Sequence, residues 1–397
     1  MSQTSRWISL SLVLSACSPS LSETDASTAD SGPLREDVSL SSDAEAAVFA
    51  DGSIDTPSPQ DATTASDAGP QSDSAPTSDV PGDVPGDVAV SPGSSPTIAG
   101  CRMLPPDNAL NQDISRAPLH PQSATYIAAM NPTRAMHADW GDWSTNHYGI
   151  PWQTGMGAAP VAMQWTTSWG PRESEMRPCP GGMGAFCYPI ATSARIEGGP
   201  SASAASDRHV LYLDRAGAPN NCTLYELYNA QNFTSPPWRA ANGAIFDLST
   251  NALRMDQWTS ADAAGLPILP TIVRVDEVLE GAIRHAIRFT MARTGRAFIH
   301  PATHAAGTAG TNLPPMGLRL RLRAAFDDSR LTPATRVIIR AMKTYGIILA
   351  DNGSDWFITG DSDDRWSPLI NEINRGLGSV RGMDFEVVNT GPTIPQG

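Results

Sequence analysis

Apolar and polar residues alternate over several short stretches of the chain, and a period of two marks a strand with one buried face. Residues 318–323 read Leu-Arg-Leu-Arg-Leu-Arg, with one apolar face and one Arg face. Residues 209–214 and 222–228 are β-rich runs separated by Gly, Pro and Asn, which predicts a hairpin. Residues 284–291 and 297–300 predict two more strands. Residues 346–351 and 356–359 flank Asn352-Gly353, a tight-turn dipeptide, and predict a further hairpin. Helical spacing is rarer. Thr332-Pro333 opens a helix that carries Val337, Ile338, Ala341, Met342 and Tyr345 and stops at Gly346. Ser367-Pro368 opens another, through Leu369, Ile370 and Ile373. The expected fold class is mainly β, an antiparallel β-sandwich or jelly-roll-like domain with a few short helices.

This patterning disappears before residue 99. Residues 18–98 are built from Ser, Asp, Ala, Pro, Thr and Gly, with no Trp or Tyr. Such a composition buries too little apolar surface to offset chain entropy, so a disordered linker is expected, with a mean reach of roughly 50 Å. Ahead of it, Arg6 and the short apolar run 7–14 read as an export signal, too short to span a bilayer. The run ends in Leu14-Ser15-Ala16-Cys17, which resembles the lipobox of bacterial lipoproteins. That resemblance implies cleavage before Cys17, acylation of Cys17, and an outer-membrane or cell-surface location with the lipid bilayer as a partner. The expected organisation is a signal peptide at 1–16, the lipidated cysteine and linker at 17–98, and one extracytoplasmic domain at 99–397.

Charge narrows the function class. The net charge of the 397 residues is -14, yet the acidic excess sits in the linker, where Arg35 is the only basic residue. Residues 101–397 are close to neutral, which argues against nucleic acid as a partner. No stretch reaches the ~18 apolar residues of a spanning helix, and neither a P-loop nor G-x-S-x-G is present. Beyond Cys17 there are four cysteines, Cys101, Cys179, Cys187 and Cys222. An exported compartment favours two disulfides, for which three pairings are open. The small loop 179–187 favours Cys179–Cys187, leaving Cys101–Cys222.

Segments such as Ile196-Glu-Gly-Gly199, Asp207-Arg-His-Val210, Leu224-Tyr-Glu-Leu-Tyr228, His285-Ala-Ile-Arg-Phe-Thr290 and Pro314-Pro-Met-Gly-Leu318 carry a resemblance. They are similar to a recurrent, uncharacterised family of secreted bacterial and fungal proteins. The resemblance covers most of residues 101–388, and implies one intact exported domain without assigning catalytic residues.

Several residues invite chemistry. Glu226 lies in a strand between Tyr225 and Tyr228; a half-buried carboxyl there would have a raised pKa and serve as a general acid. Asp207 and His209 share strand parity, so the pair can face one side, with His209 orienting. Glu197 and Asp247 are further carboxylates for a pair. Trp140, Trp143 and Trp152, with Tyr228 and Arg288, are candidates for stacking on and hydrogen bonding to sugars. Arg319, Arg321 and Arg323 read as a solvated strand face, or as a face for uronate carboxylates or sulfates. His285, His300 and His304 lack zincin spacing, since Pro301 stands where a Glu would be, so no metal and no cofactor is expected. Residues 351–355 and 361–364 have calcium-loop composition without EF-hand spacing and read as turns.

Together these features suggest a monomeric carbohydrate-active enzyme that hydrolyses an extracellular polysaccharide with paired carboxylates. A non-catalytic glycan-binding or adhesion module is the alternative, and a uronate lyase a further one.

Overall fold

The computed structural model describes residues 95–397, apart from 183, 232 and 311. The segments expected to be an export signal and a linker, with Cys17, lie outside them up to residue 94. Among the described residues no helix is long and apolar enough to cross a membrane.

A six-stranded sheet runs in the spatial order Phe385–Val387, Arg319–Leu322, Ile347–Asn352, Ile287–Met291, Phe357–Thr359, His137–Asp139. A four-stranded sheet runs Asn242–Asp247, Thr223–Tyr228, Val210–Asp214, Trp152–Gly155. A three-stranded sheet joins Cys187–Tyr188, Val161–Trp165 and Trp238–Ala240. The mainly-β class with a few short helices is what folds. Its pairing is mixed: Ile287–Met291 runs parallel to Ile347–Asn352, and Trp152–Gly155 parallel to Val210–Asp214.

Strand alternation explains the layering. Leu211, Leu213 and Leu224 belong to the same hydrophobic core as Ile287, Phe289, Leu320 and Leu349. Val210, Tyr212, Tyr225 and Leu227 face the other way, onto Met163, Tyr188 and Trp238 of the small sheet. The four-stranded sheet is therefore buried on both faces, which is why its strands carry so few polar side chains. Helix Pro333–Thr344 begins where expected, with the Thr332 hydroxyl accepting from the Thr335 amide. Its chain reverses at Gly346, whose φ of +71° and approach to the Leu320 carbonyl leave no room for a Cβ.

The expected hairpin of 209–214 with 222–228 forms as the antiparallel pair Val210–Asp214 and Thr223–Tyr228. Both favoured disulfides form, Cys101–Cys222 and Cys179–Cys187. The first ties the N-terminal edge, where Thr97–Ile98 pairs with Cys101–Arg102, to the start of the strand Thr223–Tyr228.

Two expectations are corrected. Asn352-Gly353 does not close a hairpin, because Ile287–Met291 lies between Ile347–Asn352 and Phe357–Thr359 and pairs with both. Of the expected Arg face, Arg323 is exposed beyond the strand end, but Arg319 and Arg321 are neither solvated nor open to anions. Arg319 is buried and donates to the carbonyls of Tyr345 and Ala109, and Arg321 pairs with Glu386 at 2.7 Å while donating to the carbonyls of Ile114, Ser115 and Ala117. These guanidinium groups fasten neighbouring loops to the sheet.

Candidate functional site

Charged side chains from three segments converge on Arg288. Strand Ile287–Met291 brings Arg288, the strand Ile347–Asn352 brings Asp351, and the loop after residue 259 brings Asp262. Arg288 reaches Asp262 at 2.9 Å, Asp351 at 3.4 Å and the Thr359 hydroxyl at 2.8 Å. Two carboxyls thus share one guanidinium. Burial raises the pKa of both, and Arg288 pulls both back. Asp262 is fully buried, held by two nitrogens of Arg288 and by the Ala264 amide. Asp351 keeps 23% of its side-chain surface exposed and has the longer contact. With one cation for two acids, Asp351 is the carboxyl that holds a proton more readily.

A second pair sits alongside. His209 Nδ1 lies 2.6 Å from Glu197 Oε2, and Nε2 lies 2.9 Å from the Ala261 carbonyl. A carbonyl only accepts, so Nε2 carries a hydrogen; the ionised Glu197 accepts the other, which makes His209 an imidazolium. Burial opposes that charge, but Glu197 outweighs it and sets the His209 pKa at about 9. In return, burial raises Glu197 while His209 more than reverses this, leaving it below the usual carboxylate range. Glu197 is 25% exposed.

Tyr228 stands beside both pairs. Burial lifts its phenol pKa to about 12, and the charges of Asp207, Asp351 and Glu197 add to the rise. Asp139, on the edge strand, accepts from the Tyr148 hydroxyl at 2.5 Å; burial, and next the charge of Glu197, raise its pKa against that bond. Two buried polar atoms have no partner among the described residues, Gln153 Nε2 and His147 Nδ1. Gln153 accepts from the Arg195 amide, and His147 packs against Gly199.

The sequence-predicted residues divide. His209, Glu197, Tyr228 and Arg288 come together here, with Asp207 at the exposed margin. Asp207 and His209 do not share a strand face, because Arg208 between them has φ +49° and the strand begins at Val210. Glu226 is corrected outright. It is fully buried, Oε1 accepts from the Ile268 and Leu269 amides, and Oε2 from the Ile268 amide. It anchors the loop 267–269 and reaches no solvent, so a general-acid role has no route to substrate. Trp140 is also fully buried, 5.4 Å from Trp366 in ring separation, and cannot stack on a sugar. Trp152 is half-buried and donates to Asp361. Trp143 is half-buried, with Arg195 4.7 Å above its ring. Asp247 lies at the other end of its strand, accepting from Ser249.

His285, His300 and His304 each have a separate partner, Glu277, Asp256 and the Ala263 carbonyl. Among the described residues no cluster of His, Cys, Asp and Glu is arranged to hold a metal ion. Asp361 is not a turn acid but a buried one, accepting from the indoles of Trp152 and Trp366 and the Val275 amide.

The buried acids give the fold a pH dependence. Burial raises Glu226 to about 7 and Asp361 to about 6, against the pull of their amide and indole donors. In each case the folded state binds a proton more tightly than the unfolded chain. That stability is complete below the unfolded pKa and is lost as pH rises through the folded value. His209 adds a contribution complete below about 6.5 and lost through about 9. Glu197 acts oppositely, its contribution disappearing as pH falls below the carboxylate range. The melting temperature is therefore expected to peak near pH 5 and to fall steadily to pH 9, by several kcal/mol of stability in all. Thermal scans at pH 5, 7 and 9 check this, and a flat or rising profile would contradict it.

Comparison of the chain with protein-family models, curated proteins and solved structures returns no match.

Proposed function

We propose that the chain is an exported, lipid-anchored hydrolase that cleaves glycosidic bonds of an extracellular polysaccharide, with Asp351 as proton donor and Glu197 as its carboxylate partner. One observation carries this reading. Two carboxyls at the exposed margin of the same centre, both sensed by Tyr228, have environments that drive them apart. Glu197 is kept ionised by His209, while Asp351 is pushed toward its protonated form. Separated acid and base roles for two carboxyls are what glycoside hydrolysis requires.

In this mechanism Asp351 gives its proton to the leaving glycosidic oxygen as that bond breaks. Glu197 then acts on the opposite side of the sugar ring, as nucleophile or as base for water according to the carboxyl separation. His209 is a positioning residue, since both its nitrogens are occupied. The lyase alternative loses its main support, because Arg288 is committed to Asp262 and Asp351 and is not free to neutralise a uronate.

Reducing-end release from a panel of neutral and uronate polysaccharides tests the proposal. Asp351→Asn is expected to lower the rate by about 10²–10⁴-fold, and Glu197→Gln comparably, with folding retained. Full activity in Asp351→Asn would remove the assignment. Saturable binding without turnover of any polymer would favour the glycan-binding module instead.

A further inference from the structure

At the Thr223 and Asp247 end of the four-stranded sheet, on the face opposite Glu226, lies a shallow cleft of about 690 Å³. Tyr225 lies on its floor, Trp258 on one wall, and the segment carrying Arg172, Glu175 and Arg177 on another. Its volume falls in the range of small-ligand sites. None of the residues of the Glu197–Asp351 centre lines it.

The charges in this cleft are unevenly satisfied. Glu175 is consumed by Arg254, which contacts both its oxygens, and by the Ile245 amide. Arg254 is in turn fixed by the carbonyls of Glu173 and Thr259, with its guanidinium 5.6 Å from the centre of the Trp258 ring. This ladder holds the indole in place. Asp247 has one oxygen engaged by Ser249. Its other oxygen and two exposed guanidinium groups remain, so the cations outnumber the one open carboxylate. Arg177 spends one nitrogen on the Tyr225 hydroxyl, at 2.7 Å, and Arg172 has no side-chain partner among the described residues. Two forks that match oxyanions, beside a phenol and a half-buried indole, make a site for a sugar ring that lays its C–H face on the indole and carries a carboxylate.

We propose that this cleft binds an acidic saccharide, a uronate-bearing stretch of polymer, separately from the hydrolytic centre. The choice of a saccharide rests on the functional reading above; the recognition of an anion by Arg172 and Arg177 does not. A polymer seated here would be retained while another part of it is cut.

The test is calorimetric titration of the full chain carrying Asp351→Asn, which suspends turnover and leaves the cleft untouched. The probes are tetragalacturonate, cellotetraose and acetate. Tetragalacturonate is expected to bind, and its affinity to fall at least about tenfold when Arg172→Ala and Arg177→Ala are added, the loss of one charge-assisted hydrogen bond being enough for that. Trp258→Ala should weaken it further, while cellotetraose and acetate should bind far more weakly. Arg172 makes no side-chain contact among the described residues, so Arg172→Ala alone should leave the melting temperature unmoved and still weaken binding, whereas Arg177→Ala also removes the donor to the buried Tyr225 hydroxyl. The proposal is overturned if tetragalacturonate does not bind at millimolar concentrations, if the arginine variants bind it as well as their parent, or if acetate matches it. Cleft binding without turnover of any polymer by the unmodified chain would sink the hydrolase alone; turnover without cleft binding would sink the cleft alone.

Discussion

Removing the Cys101–Cys222 cross-link, by Cys101→Ser with Cys222→Ser, is expected to destabilise the fold by about 5 kcal/mol on the loop-entropy relation. The bond closes a loop with a sequence separation of 121, whereas Cys179–Cys187 spans only 8. The same relation gives about 2.5 kcal/mol for the shorter bridge. Both sulfurs of the long bridge are buried, so the serines would also leave hydroxyls in an apolar setting. Denaturant unfolding of the two paired-serine variants checks the order. A larger loss from the short bridge would mean that the Cys101 segment holds its place without the bond.

Arg288→Met is expected to cost about 3–5 kcal/mol, the usual effect of breaking a buried ion pair from one side. Asp262 would then be fully buried with only the Ala264 amide left to it, and Thr359 would lose its guanidinium donor. Adding Asp262→Asn removes the stranded charge and should restore a large part of the loss. A double-mutant cycle measures the coupling, and strictly additive losses would show that Arg288 and Asp262 do not act as a pair. The same substitution should release Asp351 from its cation and raise its pKa further, moving the alkaline limb of any pH–rate profile upward.

The legible parts of this fold were those written locally. The paired strands Val210–Asp214 and Thr223–Tyr228 are near neighbours joined by turn-forming residues, and Thr332-Pro333 marks a helix start by chemistry confined to one turn. The Asn352-Gly353 dipeptide misled because a turn signal reports only on its own backbone. It cannot show that a strand from sixty residues upstream will lie between the two arms. The site divides the same way. Glu197 and His209 stand out as polar residues beside a strand, and Arg288 as a charge inside an apolar one. Asp351 does not, because it ends an apolar run just before a turn, where an aspartate is ordinary. Asp262 sits among small residues with no periodicity, and its meaning comes only from Arg288. Glu226 failed for the opposite reason. A buried acid looks the same in sequence whether it faces a substrate or a pair of backbone amides.

The position of the long disulfide also determines how the domain bears mechanical load. Tension applied along the chain ahead of Thr97 reaches Cys101 within a few residues and there divides between the backbone and the bond to Cys222. Residues 102–221 lie inside that covalent loop and cannot be drawn out while the bond stands. Glu197 and His209 are among them, so a pull on the N-terminal segment is diverted past this half of the centre and into the start of the strand Thr223–Tyr228.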